Sequence, residues 1–236
     1  MLDLMDAVIL MSSVLVNLAA FTHYLAETLA RRLVLAGLTG AWLGLAVGLG
    51  AAGKLAFSQQ QPIPLIGVLL AVPLLTVGLL ALRSQRARAA LLAVPMPLLI
   101  GLNSARVFGV MFLLLAATGR LSGLFPYFAG LGDMITGALA IPLAVRVARS
   151  KQAPANAIGL WNLFGALDLV VAVGLGITSA NGSPVQLFHG GVGSDAVQLL
   201  PTSLIPTVLV PFYLITHGIV AAKLAASRPV PALAHG

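Results

Sequence analysis

The stretch Ile63-Pro64-Leu65-Ile66-Gly67-Val68-Leu69-Leu70-Ala71-Val72-Pro73-Leu74-Leu75-Thr76-Val77-Gly78-Leu79-Leu80-Ala81-Leu82 carries no ionisable side chain, and Arg83, Arg86 and Arg88 follow it. About 20 predominantly apolar residues are what a helix needs to cross the hydrocarbon core of a bilayer. A water-soluble domain has no use for such a run. The rest of the chain agrees: of 236 residues, 59% are hydrophobic and only 8% charged, against about 25% charged in a soluble domain. Lipid is therefore the solvent, and the fold class is an all-α transmembrane bundle, because only helices and closed barrels satisfy their backbone polar groups in hydrocarbon.

Working outward from residues 63–82, six more apolar runs of spanning length appear, at 7–30, 33–56, 97–118, 129–147, 157–179 and 201–223. The chain reads as one integral-membrane domain over 1–236 with seven spans. Pro95 and Pro97 leave open whether 89–96 leads into the fourth span or lies at the interface. The acidic start, with Asp3 and Asp6 ahead of a full-length span, is unlike a cleaved signal peptide.

The basic residues give the expected orientation. Arg31, Arg32, Arg83, Arg86, Arg88, Arg146, Arg149, Lys151, Lys223 and Arg228 all fall on one side of a seven-span chain, and only Lys54 and Arg120 on the other. The positive-inside rule then puts the N-terminus outside and the C-terminus in the cytoplasm, in a membrane of the bacterial cytoplasmic type. The same distribution accounts for a net charge of +7 as a topology signal, not a nucleic-acid footprint.

Ionisable residues within spans are costly and mark function or pairing. Arg106, in Leu102-Asn103-Ser104-Ala105-Arg106-Val107-Phe108-Gly109, and Asp168, in Trp161-Asn162-Leu163-Phe164-Gly165-Ala166-Leu167-Asp168, lie at similar depth in spans four and six. They are expected to pair, as a structural lock or as a functional site. Asn103 shares a face with Arg106. Asn162 completes the polar set, with His217 of the last span beside it. Asp133 opens span five, where a carboxylate complements a helix N-terminus; the functional alternative is a relay from Asp133 inward to Asp168.

His23 and His217 suggest a second reading, a b-type haem held between the first and last spans. Against it, His23, Glu27 and Arg31 are spaced by four and fit a local ladder, and Tyr213 lies one turn before His217. Gly40, Gly44 and Gly48 clear a strip for close helix approach, within the chain or between copies. The long connection 179–200 holds His189 and Asp195, too few ligands for a closed metal site.

Several chemistries are excluded by what is missing. With no cysteine, the chain has no thiolate site. Lys223, at the end of span seven, cannot serve as a mid-helix Schiff-base lysine. No motif for intramembrane hydrolysis occurs, so no catalytic residue, metal or cofactor is assigned. The expected function is transport of a small solute or a proton past a midplane polar site. The alternatives are a haem-bearing electron-transfer subunit and an accessory subunit without ligand.

Overall fold

The computed structural model describes residues 2–57, 64–150 and 154–227. Ile63, Lys151 and Arg228, used above for the third span and the basic ladder, lie outside them. The described residues form α1 (Leu2–Leu25), α2 (Leu29–Ala51), α3 (Leu65–Arg83), α4 (Gln85–Ala93), α5 (Met96–Leu102), α6 (Val110–Ala117), α7 (Phe125–Arg149), α8 (Ala155–Ser179) and α9 (Val210–Ala226), with no strand among them. A 3₁₀ segment, Asn103–Gly109, joins α5 to α6, and a π-turn, Ile205–Leu209, leads into α9. Among the described residues, seven helical stretches are long and apolar enough to cross a membrane, the fourth being Met96–Ala117 and the seventh Ile205–Ala226.

The sequence boundaries shift where a local device ends a helix inside a continuous apolar run. Thr28 caps α2 by accepting from the Arg31 amide at 3.3 Å, so α1 stops at Leu25 and α2 begins at Leu29; at the other end the Ala52 amide bonds back to the Gly48 carbonyl and α2 closes at Ala51. Glu27 therefore sits in a turn. Its ion pair with Arg31, at 3.6 Å and fully on the surface, is the part of the expected His23-Glu27-Arg31 ladder that forms. Residues 89–95 are not part of span four, which begins at Met96. Ser84 ends α3 and caps α4 through the Ala87 amide, and at the other end of α4 the carbonyls of Leu92 and of the flanking Val94 accept from Lys223 Nζ at 2.5 and 3.0 Å.

The core is set by the spans that carry the polar residues. Of the seven hydrophobic windows, those in Ile205–Ala226 and Met96–Ala117 are 61% and 50% buried, whereas that in Leu29–Ala51 is only 6% buried. Spans four and seven are thus the axis of the bundle, and α2 lies at its edge. Leu38, Leu75, Leu160 and Val170 face outward, as lipid-facing residues must. The expectation that Gly40, Gly44 and Gly48 receive a neighbouring helix of this chain is overturned, because a Cβ at any of them would meet nothing within 4 Å.

Close approach occurs instead between α7 and the 3₁₀ segment. A Cβ on Gly137 would collide with the Val107 amide nitrogen, one on Gly130 would lie 3.0 Å from the Gly109 carbonyl oxygen, and one on Gly109 would lie 2.5 Å from Asp133 Cβ. Gly130 and Gly137 are seven apart, two turns along one helix face. That bare face lets the backbone carrying Arg106 rest directly on α7.

Candidate functional site

The site begins with the local geometry of Asn103–Gly109. A 3₁₀ helix has three residues per turn, so residues three apart eclipse one another. Asn103, Arg106 and Gly109 are the buried residues of this segment, and they form one inward line. An α-helix would spread the same three over about 120°, on one side but not in one line. Asn103 steadies the junction by donating from Nδ2 to the Leu99 carbonyl at 2.9 Å, with Thr216 Oγ1 at 3.4 Å.

Arg106 is the centre, with only 2% of its surface exposed. Its Nε donates to Asp133 Oδ1 at 2.7 Å, and its Nη2 donates to Asp168 Oδ2 at 2.6 Å. Its Nη1 donates to the Gly165 carbonyl at 3.1 Å and faces His217 Nε2 at 3.0 Å. The Tyr213 ring lies 5.7 Å from the guanidinium carbon, within cation–π range.

The histidine's state follows from its partners. Arginine N–H groups only donate, so His217 Nε2 accepts and the ring proton sits on Nδ1, from which it donates to Asn162 Oδ1 at 2.8 Å. A neutral imidazole is thereby held in one tautomer. Trp161 packs its ring 5.2 Å from that of His217 and donates from Nε1 to the Thr136 carbonyl at 3.1 Å, tying α8 to α7.

Two glycines make room for this cluster. A Cβ on Gly132 would strike the Asp168 carboxylate, and one on Gly165 would lie 2.7 Å from His217 Cε1. Without bare backbone there, α8 and α9 could not close around the guanidinium.

Arg106, Asp168, Asn162, His217 and Asp133 therefore come together in one cluster, with Asn103 one 3₁₀ turn away. Asp133 does not cap a helix. Because α7 starts at Phe125, Asp133 lies about two turns inside it and binds Arg106. Tyr213 is not the partner of His217; its hydroxyl accepts from Asn17 Nδ2 at 3.4 Å. Asn17, Thr136, Trp161 and Gly165 belong to the surroundings of the site and are absent from the sequence-derived set. His23 is exposed near the end of α1, its ring 5.2 Å from that of Tyr24.

In the long connection, Asp195 accepts from the Asn181 amide at 2.8 Å, from Asn181 Nδ2 at 2.9 Å and from Gln198 Nε2 at 3.2 Å, while His189 is exposed. These bonds tie the loop to itself, and the Phe57 amide, donating to Gln198 Oε1 at 2.7 Å, and Ser194 Oγ, donating to the Gly176 carbonyl at 2.6 Å, hold it against the bundle. Beneath it, a cavity of about 80 Å³ lined by Phe57, Phe125, Val197, Ile205 and Val210 reaches Asp133 at its floor. Nearly all of its wall is hydrocarbon. Among the described residues, no group of three or more His, Asp or Glu side chains could hold a metal ion.

No curated protein and no solved structure matches this chain. A family model does, over residues 63–225, a range that contains α3 to α8, most of α9 and every member of the Arg106 cluster. The chain belongs to that family, described as Domain of unknown function (DUF8737).

Proposed function

We propose that this multi-pass membrane protein is a proton-translocating transporter whose proton is carried by the Arg106, Asp133 and Asp168 cluster and crosses even without a second substrate. The observation that carries the reading is the ratio of charges: two carboxylates share one guanidinium inside the bundle. With both ionised, the cluster holds one negative charge too many for a membrane interior, where each unbalanced charge costs about 2.5–3.5 kcal/mol on insertion scales. A proton restores the balance. It can reside on either carboxyl, since each is bonded to Arg106 through one oxygen.

The broken fourth span supports this reading. Irregular backbone at membrane depth is characteristic of transporter binding sites, and 3₁₀ stretches and π-turns recur where helices hinge. His217 and Asn162 continue the polar line from Arg106 towards the end of the bundle that carries Arg146 and Arg149. On the positive-inside rule that end is cytoplasmic, the N-terminus is outside, and the membrane is of the bacterial cytoplasmic type. The haem alternative is weakened by His217, whose Nε2 lone pair, the one an iron would need, accepts from Arg106.

Proteoliposomes with a trapped pH dye test the reading. On imposing a potassium diffusion potential, the wild-type protein should admit protons faster than protein-free vesicles, and Asp133→Asn and Asp168→Asn should each slow entry. Equal rates in wild-type and protein-free vesicles would refute it.

A further inference from the structure

Asp168 reaches the surface of the bundle through a lipid-facing groove between α7 and α8, with a volume of about 440 Å³ and walls that include Tyr127, Phe128, Ile135, Phe164 and Leu167. This volume lies within the roughly 300–1,000 Å³ typical of small-molecule sites. We infer that the groove binds a lipophilic organic cation, which enters sideways from the bilayer and replaces the proton at Asp168. The inference rests on the proton-carrying reading above and names the substrate class of the same site.

Three features select this ligand. The groove opens among side chains that face lipid, with Tyr127 and Phe128 each 54% exposed, so whatever enters it must be soluble in hydrocarbon. The charge at its floor is negative: Asp168 gives Oδ2 to Arg106, and its Oδ1 lies over the bare backbone of Gly132. The other charged or titratable groups around it are Arg106, Asp133 on α7, Tyr127 in the groove wall, and Tyr213 and His217 beside the guanidinium; Arg106 is the one cation among them, so one carboxylate charge is left for a cation to neutralise. Finally, Tyr127, Phe128 and Phe164 line the wall with aromatic faces, which attract a desolvated cation. With two carboxylates on one guanidinium, the negative charge left over at the groove needs a partner. A proton and an apolar cation are the two partners that can reach it from lipid.

The test uses the full chain in lipid nanodiscs with tetraphenylphosphonium as the probe and tetraphenylborate, of the same shape and opposite charge, as its control. Saturable phosphonium binding is expected, with about one proton released per cation bound and with affinity for the borate about tenfold or more weaker. Asp168→Asn should abolish the proton release. Ile135→Trp, which fills the groove and leaves every charge in place, should abolish binding even if the Asn variant does not fold. Borate bound as tightly as phosphonium, or phosphonium bound equally well by Ile135→Trp, would overturn the inference. Vesicles that admit protons while no phosphonium binds would refute the ligand class alone; phosphonium binding by a protein that admits no protons would refute the proton reading alone.

Discussion

Charge balance around Arg106 makes an asymmetric prediction. Arg106→Leu leaves Asp133 and Asp168 facing each other without the guanidinium, and stranding a buried charge in this way costs about 3–5 kcal/mol. Asp168→Asn acts differently. It leaves Arg106 paired with Asp133 at 2.7 Å, so the charges cancel, and the amide oxygen can still accept from Nη2. The loss is then about 1–2 kcal/mol, the difference between a charge-assisted and a neutral hydrogen bond. Asp133→Asn should behave alike. Replacing both aspartates strands Arg106, which has 2% of its surface exposed, and should return the cost to about 3–5 kcal/mol. At the midpoints of these ranges the double variant is worse than the sum of its parts by about 1 kcal/mol, above the roughly 0.5 kcal/mol found between independent sites. Such losses are a large share of the ~5–15 kcal/mol that holds a folded protein together. Reversible unfolding in mixed micelles measures all four variants. An Arg106→Leu protein as stable as Asp168→Asn, or two aspartate changes that simply add, would refute the shared guanidinium.

Three further outcomes follow from the packing and the charge ladder. Gly137→Ala, whose new Cβ would collide with the Val107 amide, should prevent accumulation or lower the unfolding midpoint sharply, whereas Gly44→Ala, in open space, should change monomer stability by less than about 0.5 kcal/mol; the same unfolding assay reads both. If the Gly40, Gly44 and Gly48 face joins two copies, Gly44→Ile should abolish a dimer seen by native mass spectrometry, and a dimer that survives the change uses another face. A reporter fused after Gly236 should behave as cytoplasmic, and a periplasmic signal there would mean an even number of crossings.

Arg106 and Asp168 were legible in the sequence because each is an ionisable residue in an otherwise apolar span, a placement that is costly wherever the helices end up. The broken fourth span was not legible. Asn103, Arg106 and Gly109 are three apart, a spacing equally at home on one side of an α-helix, and the tighter 3₁₀ form is imposed by the contact with Gly130 and Gly137 of α7. Asp133 reads as a helix-opening residue because the fifth span is taken to begin at 129, whereas α7 begins at Phe125, with Pro126 in its first turn, a position that suits proline. Glycine spacing misled for a related reason: it shows where side chains are missing, not what fills the space, and Gly40, Gly44 and Gly48 face outward while Gly137 supports the site. The partners of His217 lie 55 and 111 residues away in the chain, beyond the reach of any helical spacing rule.

The central claim is that two aspartates and one arginine hold a single exchangeable proton. Infrared difference spectroscopy of the protein in lipid, titrated through pH and repeated in heavy water, reads it from the carbonyl stretch of a protonated carboxylic acid. The account predicts an isotope-sensitive band worth about one carboxyl per chain, lost in both Asp133→Asn and Asp168→Asn because either change leaves Arg106 balanced without a proton. A wild-type spectrum with no such band, or a band that persists unchanged in both variants, would contradict it.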